Sequence, residues 1–343
     1  VVAARLTAQL LAGPPARDPL KVAERILAVQ AQDPRGARLA IRARTNGVTA
    51  ADVDRCLTDD RSLVITTLNR GTLHLVRSDD YPWLQALTTP RLATGNARRL
   101  AQEGVPPEDA ERAVGIVERA LADGPLARAE LRERIAAAGI RTDGQAFVHI
   151  VMLASLRGLV VRGPMIGRQH AYVLVRDWLG EQPAVDRDTA LAELARRYLA
   201  GHAPADERDL ARWAGLPLRD ARAGLGAIGR ELAERPGGLV DLAKRPTAPG
   251  ARLPAPRLLG AFEPLLLGWR SRDAFTGGNE AAIVSGGVFR PFAMVRGRAV
   301  ATWRLRGGEV ELEPFARISR ADAVALEEDG AAVARYLGAG WVG

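Results

Sequence analysis

The sequence predicts an α+β chain of three tandem winged-helix units followed by a β-rich C-terminal unit. Three observations predict it. Apolar-periodic helices followed by β-forming runs recur three times in the same order. A Pro-rich stretch, Arg245 to Pro256, then reads as a linker. Beyond it, short β-forming runs alternate with glycine turns as far as Phe315. The expected segments are 1–104, 105–185, 186–256 and 257–343, and 343 residues suffice for several domains.

The middle copy, Pro106 to Trp178, shows the pattern best. Ala110 to Ala122 places Ala113, Ile116, Val117 and Leu121 on one face, and Gly124-Pro125 breaks the helix. Ala127 to Ala138 follows, with Gly139 just past its end. Thr142 or Asp143 is expected to cap a third helix, Gln145 to Arg157. The runs 159–161 and 171–175 then form a hairpin around Gly163, Pro164 and Gly167.

The first copy, Leu20 to Val76, has a helix face at Val22, Ile26 and Val29. Thr49 caps a helix from Ala50 to Leu57, and Asn69-Arg70-Gly71 turns a hairpin between 63–68 and 72–76. The third copy, Asp188 to Ala243, has helices Thr189 to Ala200, Glu207 to Ala214 and Leu218 to Leu232, with strand 239–242 as a shortened wing. In the C-terminal unit, Val288 to Val295 and Ala299 to Leu305 flank the turn Arg296-Gly297-Arg298, and a last helix spans Arg320 to Leu337.

Composition narrows the function classes. Hydrophobic residues make up 47% of the chain, enough for a sizeable core. No apolar run is long enough to span a bilayer, and Val1 to Leu11 carries no secretory pattern, so a cytoplasmic protein with no membrane partner is expected. Cys56 is the single cysteine, in an apolar helical context that suits a core residue. The four histidines are scattered without ligand spacing, so neither a metal nor another cofactor is expected. The net charge of +8 favours a polyanionic partner. Lys21 and Lys244 are the only lysines, so this charge is nearly all arginine and partly a matter of composition.

The chemistry rests on Gln30-Ala31-Gln32. Pro34 disfavours helix at Asp33, so the first apolar helix is expected to stop near Ala31. If the chain leaves the helix between the two glutamines, both amides can converge on one point. Amides do not titrate usefully; they orient a water and hydrogen-bond a sugar or base edge. That suffices only for an activated leaving group, such as an N7- or N3-alkylated purine, whose positive charge weakens its bond to the deoxyribose. Alone, Gln-x-Gln at a helix end is usually a solvated terminus.

These residues carry a resemblance. Gln30-Ala31-Gln32 with Asp33-Pro34, the run Arg70 to Val76, Leu265 to Arg270 and Arg296 to Arg304 resemble the AlkZ/YcaQ-type winged-helix DNA glycosylases over most of the chain. The YcaQ branch has Asp at the second glutamine; this chain keeps both and is similar to the AlkZ branch, with Ala31 smaller than the usual central residue. The resemblance implies Gln30 and Gln32 as the catalytic pair, a C-shaped channel for duplex DNA, and excision of N7-alkylguanine-type lesions including unhooking of interstrand crosslinks. It also implies a setting in base excision repair or in self-resistance of producers of DNA-alkylating antibiotics.

The double-stranded DNA partner is expected to meet Arg42, Arg44, Arg70, Arg162, Arg168, Arg296 and Arg298, with His74 either contacting DNA or packing beside the core. Trp269 and Trp303 are expected in the core. A lyase step needs a placed amine. Lys21 lies about 180° around a helix from Gln30 and Lys244 near the linker, so a monofunctional enzyme leaving an abasic site is expected. A monomer suffices for a tandem array. The alternatives are a transcription regulator using the same modules without catalysis, and a scaffold in which the modules pack on one another.

Overall fold

A computed structural model describes residues 1–167, 169–245 and 253–338. The chain forms two compact units: Val1–Asp54 with Leu191–Gly343, and Arg55–Ala190. The segment 246–252 of the expected linker lies outside the described residues.

In the second of these units, two hairpins share one sheet, ordered Thr72–Arg77, Leu63–Leu68, Val160–Ile166, Gln169–Leu174. The first hairpin pairs Leu68 with Thr72 across Asn69-Arg70-Gly71, as its residues predict. Asn69 and Gly71 supply the positive φ angles, 53° and 82°, that close this three-residue turn. Helices Pro107–Leu121, Arg128–Ala137 and Ala146–Leu156 precede the second hairpin. Their apolar stripes enclose a core of Val117, Leu131, Ile135, Phe147, Ile150 and Tyr172, all at most 1% exposed. Neither Thr142 nor Asp143 caps the third helix: its N-cap is Gln145, whose backbone N–H donates to Glu103 at 3.0 Å. Both candidates are engaged by Arg132 instead, at 3.3 and 2.7 Å. Helices Tyr81–Thr88 and Pro90–Gln102 link the hairpins.

In the other unit, helices Arg187–His202, Glu207–Ala214 and Leu218–Ala227 lead into a hairpin of Leu232–Arg235 with Leu239–Leu242. The third helix is shorter than expected because Leu232 begins a strand, so the expected single strand has a partner. Gly215, at φ 71°, ends the middle helix. The C-terminal sheet is antiparallel, ordered Glu309–Pro314, Arg298–Arg306, Phe292–Val295, Arg257–Leu259. The run expected over Val288–Val295 is interrupted: Val288–Phe289 pairs with Val284–Ser285, and Pro291, which has no N–H for a ladder, precedes the longer strand. Helix Arg320–Leu337 matches the predicted bounds and covers this sheet with Leu326, Val333, Tyr336 and Leu337.

Two buried clusters hold this unit together. Trp269 donates to the His202 carbonyl at 2.9 Å, and His202 stacks on Tyr198 with ring centroids 4.6 Å apart. Trp303 donates to the Leu259 carbonyl at 2.8 Å, so both tryptophans are core residues as expected. The second cluster is ionic. Arg44 and Glu263 meet at 2.5 Å with no exposed side-chain surface on either. Arg44 also donates to the Gln9 carbonyl, the Gln9 side chain and the Ala40 carbonyl at 2.8, 3.0 and 2.8 Å. Gln9 in turn donates to the Gly201 carbonyl at 2.8 Å.

Removing one member leaves a buried charge without compensation. Glu263→Ala should destabilise the chain by about 3–5 kcal/mol in denaturant unfolding. A loss within about 0.5 kcal/mol, the size of an ordinary surface change, would show that the pair contributes little.

Candidate active site

The glutamine segment begins at a strained turn. Helix Pro19–Ile26 stops five residues earlier than the sequence suggests, because Leu27 adopts φ 68°, ψ −49°. The Ala28 N–H donates to the Ile26 carbonyl at 2.9 Å, which closes a γ-turn of the rare hand. A non-glycine residue there costs on the order of 1–3 kcal/mol. Leu27 is fully buried, and burial of a leucine side chain contributes about 1.5–3 kcal/mol in the other direction.

Val29–Gln30 is then extended. The strand stops at Gln30, and the chain bends at Gln32 and Asp33. Gln30 is 5% exposed, whereas Gln32 lies at the surface.

Pro34 does not end a helix; it starts one. Asp33 is extended, φ −108° and ψ 119°, and its carboxylate accepts the Gly36 N–H at 2.5 Å. Pro34 occupies the first helical position of Pro34–Arg42, where its missing N–H has no consequence. An Asp-Pro pair ahead of apolar periodicity is the signal that could have revealed this helix. Gly36 and Gly260 let two backbones approach: a Cβ on Gly36 would stand 2.3 Å from the Ala261 carbonyl oxygen. The contact seats the helix start, and with it Gln32-Asp33, on the turn after strand Arg257–Leu259. Beside it lies a cleft of about 200 Å³, lined by Asp33, Arg35, Trp303 and Arg304 among others. Arg35 and Arg304 were not among the sequence candidates.

Of the candidate DNA contacts, Arg296 and Arg298 are exposed at the hairpin tip. Arg296, at φ 49°, makes one long ion pair, 3.9 Å, with Asp322. The turn rests on the N-terminal helix Val2–Ala8: a Cβ on Gly297 would approach Leu6 to 2.8 Å. Arg70 is half-buried at its own hairpin turn. Arg42 is half-buried and pairs with Asp329 at 2.6 Å. Arg162 stacks over the Tyr172 ring at 4.1 Å, which turns it inward. Arg168 lies outside the described residues.

Arg44 is corrected, and of the two roles open to His74 the packing one is found. Arg44 is 1% exposed and its guanidinium is taken up by Gln9, Ala40 and Glu263, so it cannot reach a phosphate. His74 is 2% exposed and donates through Nδ1 to the Thr72 carbonyl at 2.9 Å, so it packs in the sheet. Cys56 is buried, as its context predicts. Among the described residues, no group of three or more His, Cys, Asp or Glu side chains could hold a metal ion, and no helix is long and apolar enough to cross a membrane.

A model of the DNA glycosylase AlkZ-like family matches residues 23–336. An interstrand DNA cross-link repair glycosylase from Streptomyces sahachiroi is 28% identical over 349 residues, covering 92% of this chain and 90% of that protein. The solved structure of Streptomyces sahachiroi DNA glycosylase AlkZ superposes with a TM-score of 0.77 at 25% identity, covering 98% of this chain and 95% of that one.

Burial lowers both His74 and His202 from 6.5 to about 3; the Arg70 charge adds to this at His74, and Arg44, Arg5 and Arg245 add to it at His202. Both imidazoles are thus neutral when folded, whereas the unfolded chain protonates them near pH 6.5. Below that pH the unfolded state binds more protons, so their stabilisation, complete above pH 6.5, is lost as pH falls toward 3. Together they should remove roughly 4 kcal/mol between pH 7 and pH 5. Chemical denaturation at the two pH values measures it, and equal stabilities would mean that neither ring is held neutral.

Proposed function

The chain belongs to the AlkZ-like DNA glycosylase family, and from that premise we propose that it is a monofunctional glycosylase that hydrolyses the N-glycosidic bond of N7- and N3-alkylated purines. Bulky adducts and interstrand crosslinks fall within this substrate class, in keeping with the name of its Streptomyces sahachiroi relative. One observation carries the reading: Gln30 ends a short strand and Gln32 stands two residues on, at the bend that follows, between a strained turn and a helix start fixed by a glycine contact.

Such an amide pair serves this chemistry and little else. A cationic base leaves without a strong general acid, so catalysis reduces to holding a water against C1′ and stabilising the oxocarbenium-like sugar. Gln30, buried, holds its amide in a fixed place; Gln32, at the surface, is open to the nucleic acid. Asp33 gives its carboxylate to the helix cap, which leaves positioning rather than base catalysis to the glutamines. A lyase step has no support: Lys21 is exposed and paired with Glu24 at 2.7 Å.

The runs of three helices followed by a hairpin, at 107–174 and 187–242, support the winged-helix reading of those segments. The exposed arginines of the hairpin turn, Arg296 and Arg298, are the best placed of the candidate phosphate contacts. The family match, which extends from residue 23 to 336, favours catalysis over the regulator reading.

Duplex DNA carrying one N7-methylguanine tests the pair. Gln30→Ala and Gln32→Ala should each lower the rate of base release by about 10²–10³-fold while binding undamaged duplex normally. Unimpaired release by both variants would remove the pair from the reaction. Replacing Arg296 and Arg298 together by Ala should reduce the salt slope of duplex binding by about 1.8, from two lost phosphate contacts. An unchanged slope would place the hairpin away from DNA.

A further inference from the structure

A pocket of about 370 Å³ lies at the other end of helix Pro34–Arg42 from the glutamines, between the loop Thr45–Thr49, strand Arg257–Leu259 and helix Arg320–Leu337. Its charged lining is Arg42, Arg257, Arg335 and Asp329. The single carboxylate is already used. Asp329 receives Arg42 at 2.6 and 3.1 Å and the Leu258 N–H at 2.7 Å, so both its oxygens are occupied. Two cationic charges therefore remain.

These two differ in setting. Arg335 is exposed on the last helix and, among the described residues, has no hydrogen bond or ion pair. Arg257, in the same lining, is half-buried. Among the described residues, the one hydrogen bond of its guanidinium is to the Ala43 carbonyl, which caps the end of the helix. A guanidinium has five N–H donors in a planar fork, so most of this fork has no protein acceptor. Burial lowers the Arg257 pKa, opposed by Asp329 and more weakly by Glu263, and reinforced by the Arg42 and Arg44 charges. A desolvated cation pressed by its neighbours and given no carboxylate of its own is a group that an anion would complete.

We propose that this pocket binds a phosphate-class anion, gripped by the Arg257 fork and by Arg335. The anion is either a phosphodiester of a nucleic-acid backbone or a free phosphate group; both present the oxygens that a planar guanidinium matches. The helix sets the spacing. Its nine residues span on the order of 13 Å, roughly four nucleotide steps along a duplex axis. A backbone phosphate here would thus bind several nucleotides from one at the glutamines. The proposal does not depend on the glycosylase reading, because base release is not its readout.

Wild type, Arg257→Lys and Arg335→Glu would be compared in two assays. Arg257→Lys keeps the charge and a donor for Ala43 but loses the fork, so it separates anion recognition from surface charge and from helix capping. The first assay is the rise in melting temperature given by inorganic phosphate over chloride at equal ionic strength. The second is the salt dependence of binding to undamaged duplex DNA. Wild type should be stabilised by phosphate, and both variants should lose that increment. If the occupant is a backbone phosphate, the salt slope also falls by about 0.9 in Arg335→Glu, whereas Arg257→Lys keeps its charge and the slope but binds duplex more weakly. If it is a free phosphate, the slope stays unchanged while the increment is lost. No phosphate increment in wild type with an unchanged slope, or Arg257→Lys behaving as wild type in both assays, would overturn the proposal.

Discussion

Arg44 and Glu263 are 219 residues apart in the chain and meet out of contact with water. Each would be costly there alone. Together with Gln9 they bind four separate segments: the N-terminal residues, the end of helix Pro34–Arg42, the Gly201 region through the Gln9 amide, and the turn at Glu263. The glycine contact between Gly36 and Ala261 lies on the same two elements, at the opposite end of the helix. The helix carrying Asp33 at its start is thus held at both ends, by a buried ion pair and by direct backbone apposition. The position of Gln32 follows from that double fixation, since it immediately precedes the cap.

Elements set by local rules were legible in the sequence. Glu207–Ala214 and Arg320–Leu337 have the bounds their periodicity and caps predict, and the turn Asn69-Arg70-Gly71 has the residues its φ angles need. The structure departs from the sequence reading where a local signal has two meanings or where the partner is distant. Pro34 can follow a helix or begin one, and only the capping role of Asp33 decides between them. The early stop at Leu27 has no sequence signature, because a buried leucine at positive φ is sustained by tertiary packing. Arg44 reads as a surface cation until Glu263 is brought to it. The glutamine pair was legible as a motif, but the shape of the chain around it was not.

The charge distribution has a consistent logic. The glutamine segment uses neutral amides and gives its nearest carboxylate to a helix cap, while surplus arginine charge stands at the hairpin turn and in the pocket at the far end of the helix. Under the proposed function, a substrate already cationic at the base gains little from a strong acid, and a polyanion would meet the surrounding arginines. Buried histidines stay neutral and belong to the core rather than to this electrostatic system.

The hairpin turn at Gly297 lies against Leu6 so closely that no β-carbon fits between them. The first helix is therefore the floor under the basic turn, even though the family match begins only at residue 23. Trimming the chain to the matched region for expression would remove that floor. Arg296 and Arg298 would keep their charge but lose the surface that fixes their direction, so a shortened protein would be a poor reagent for measuring what the turn contributes.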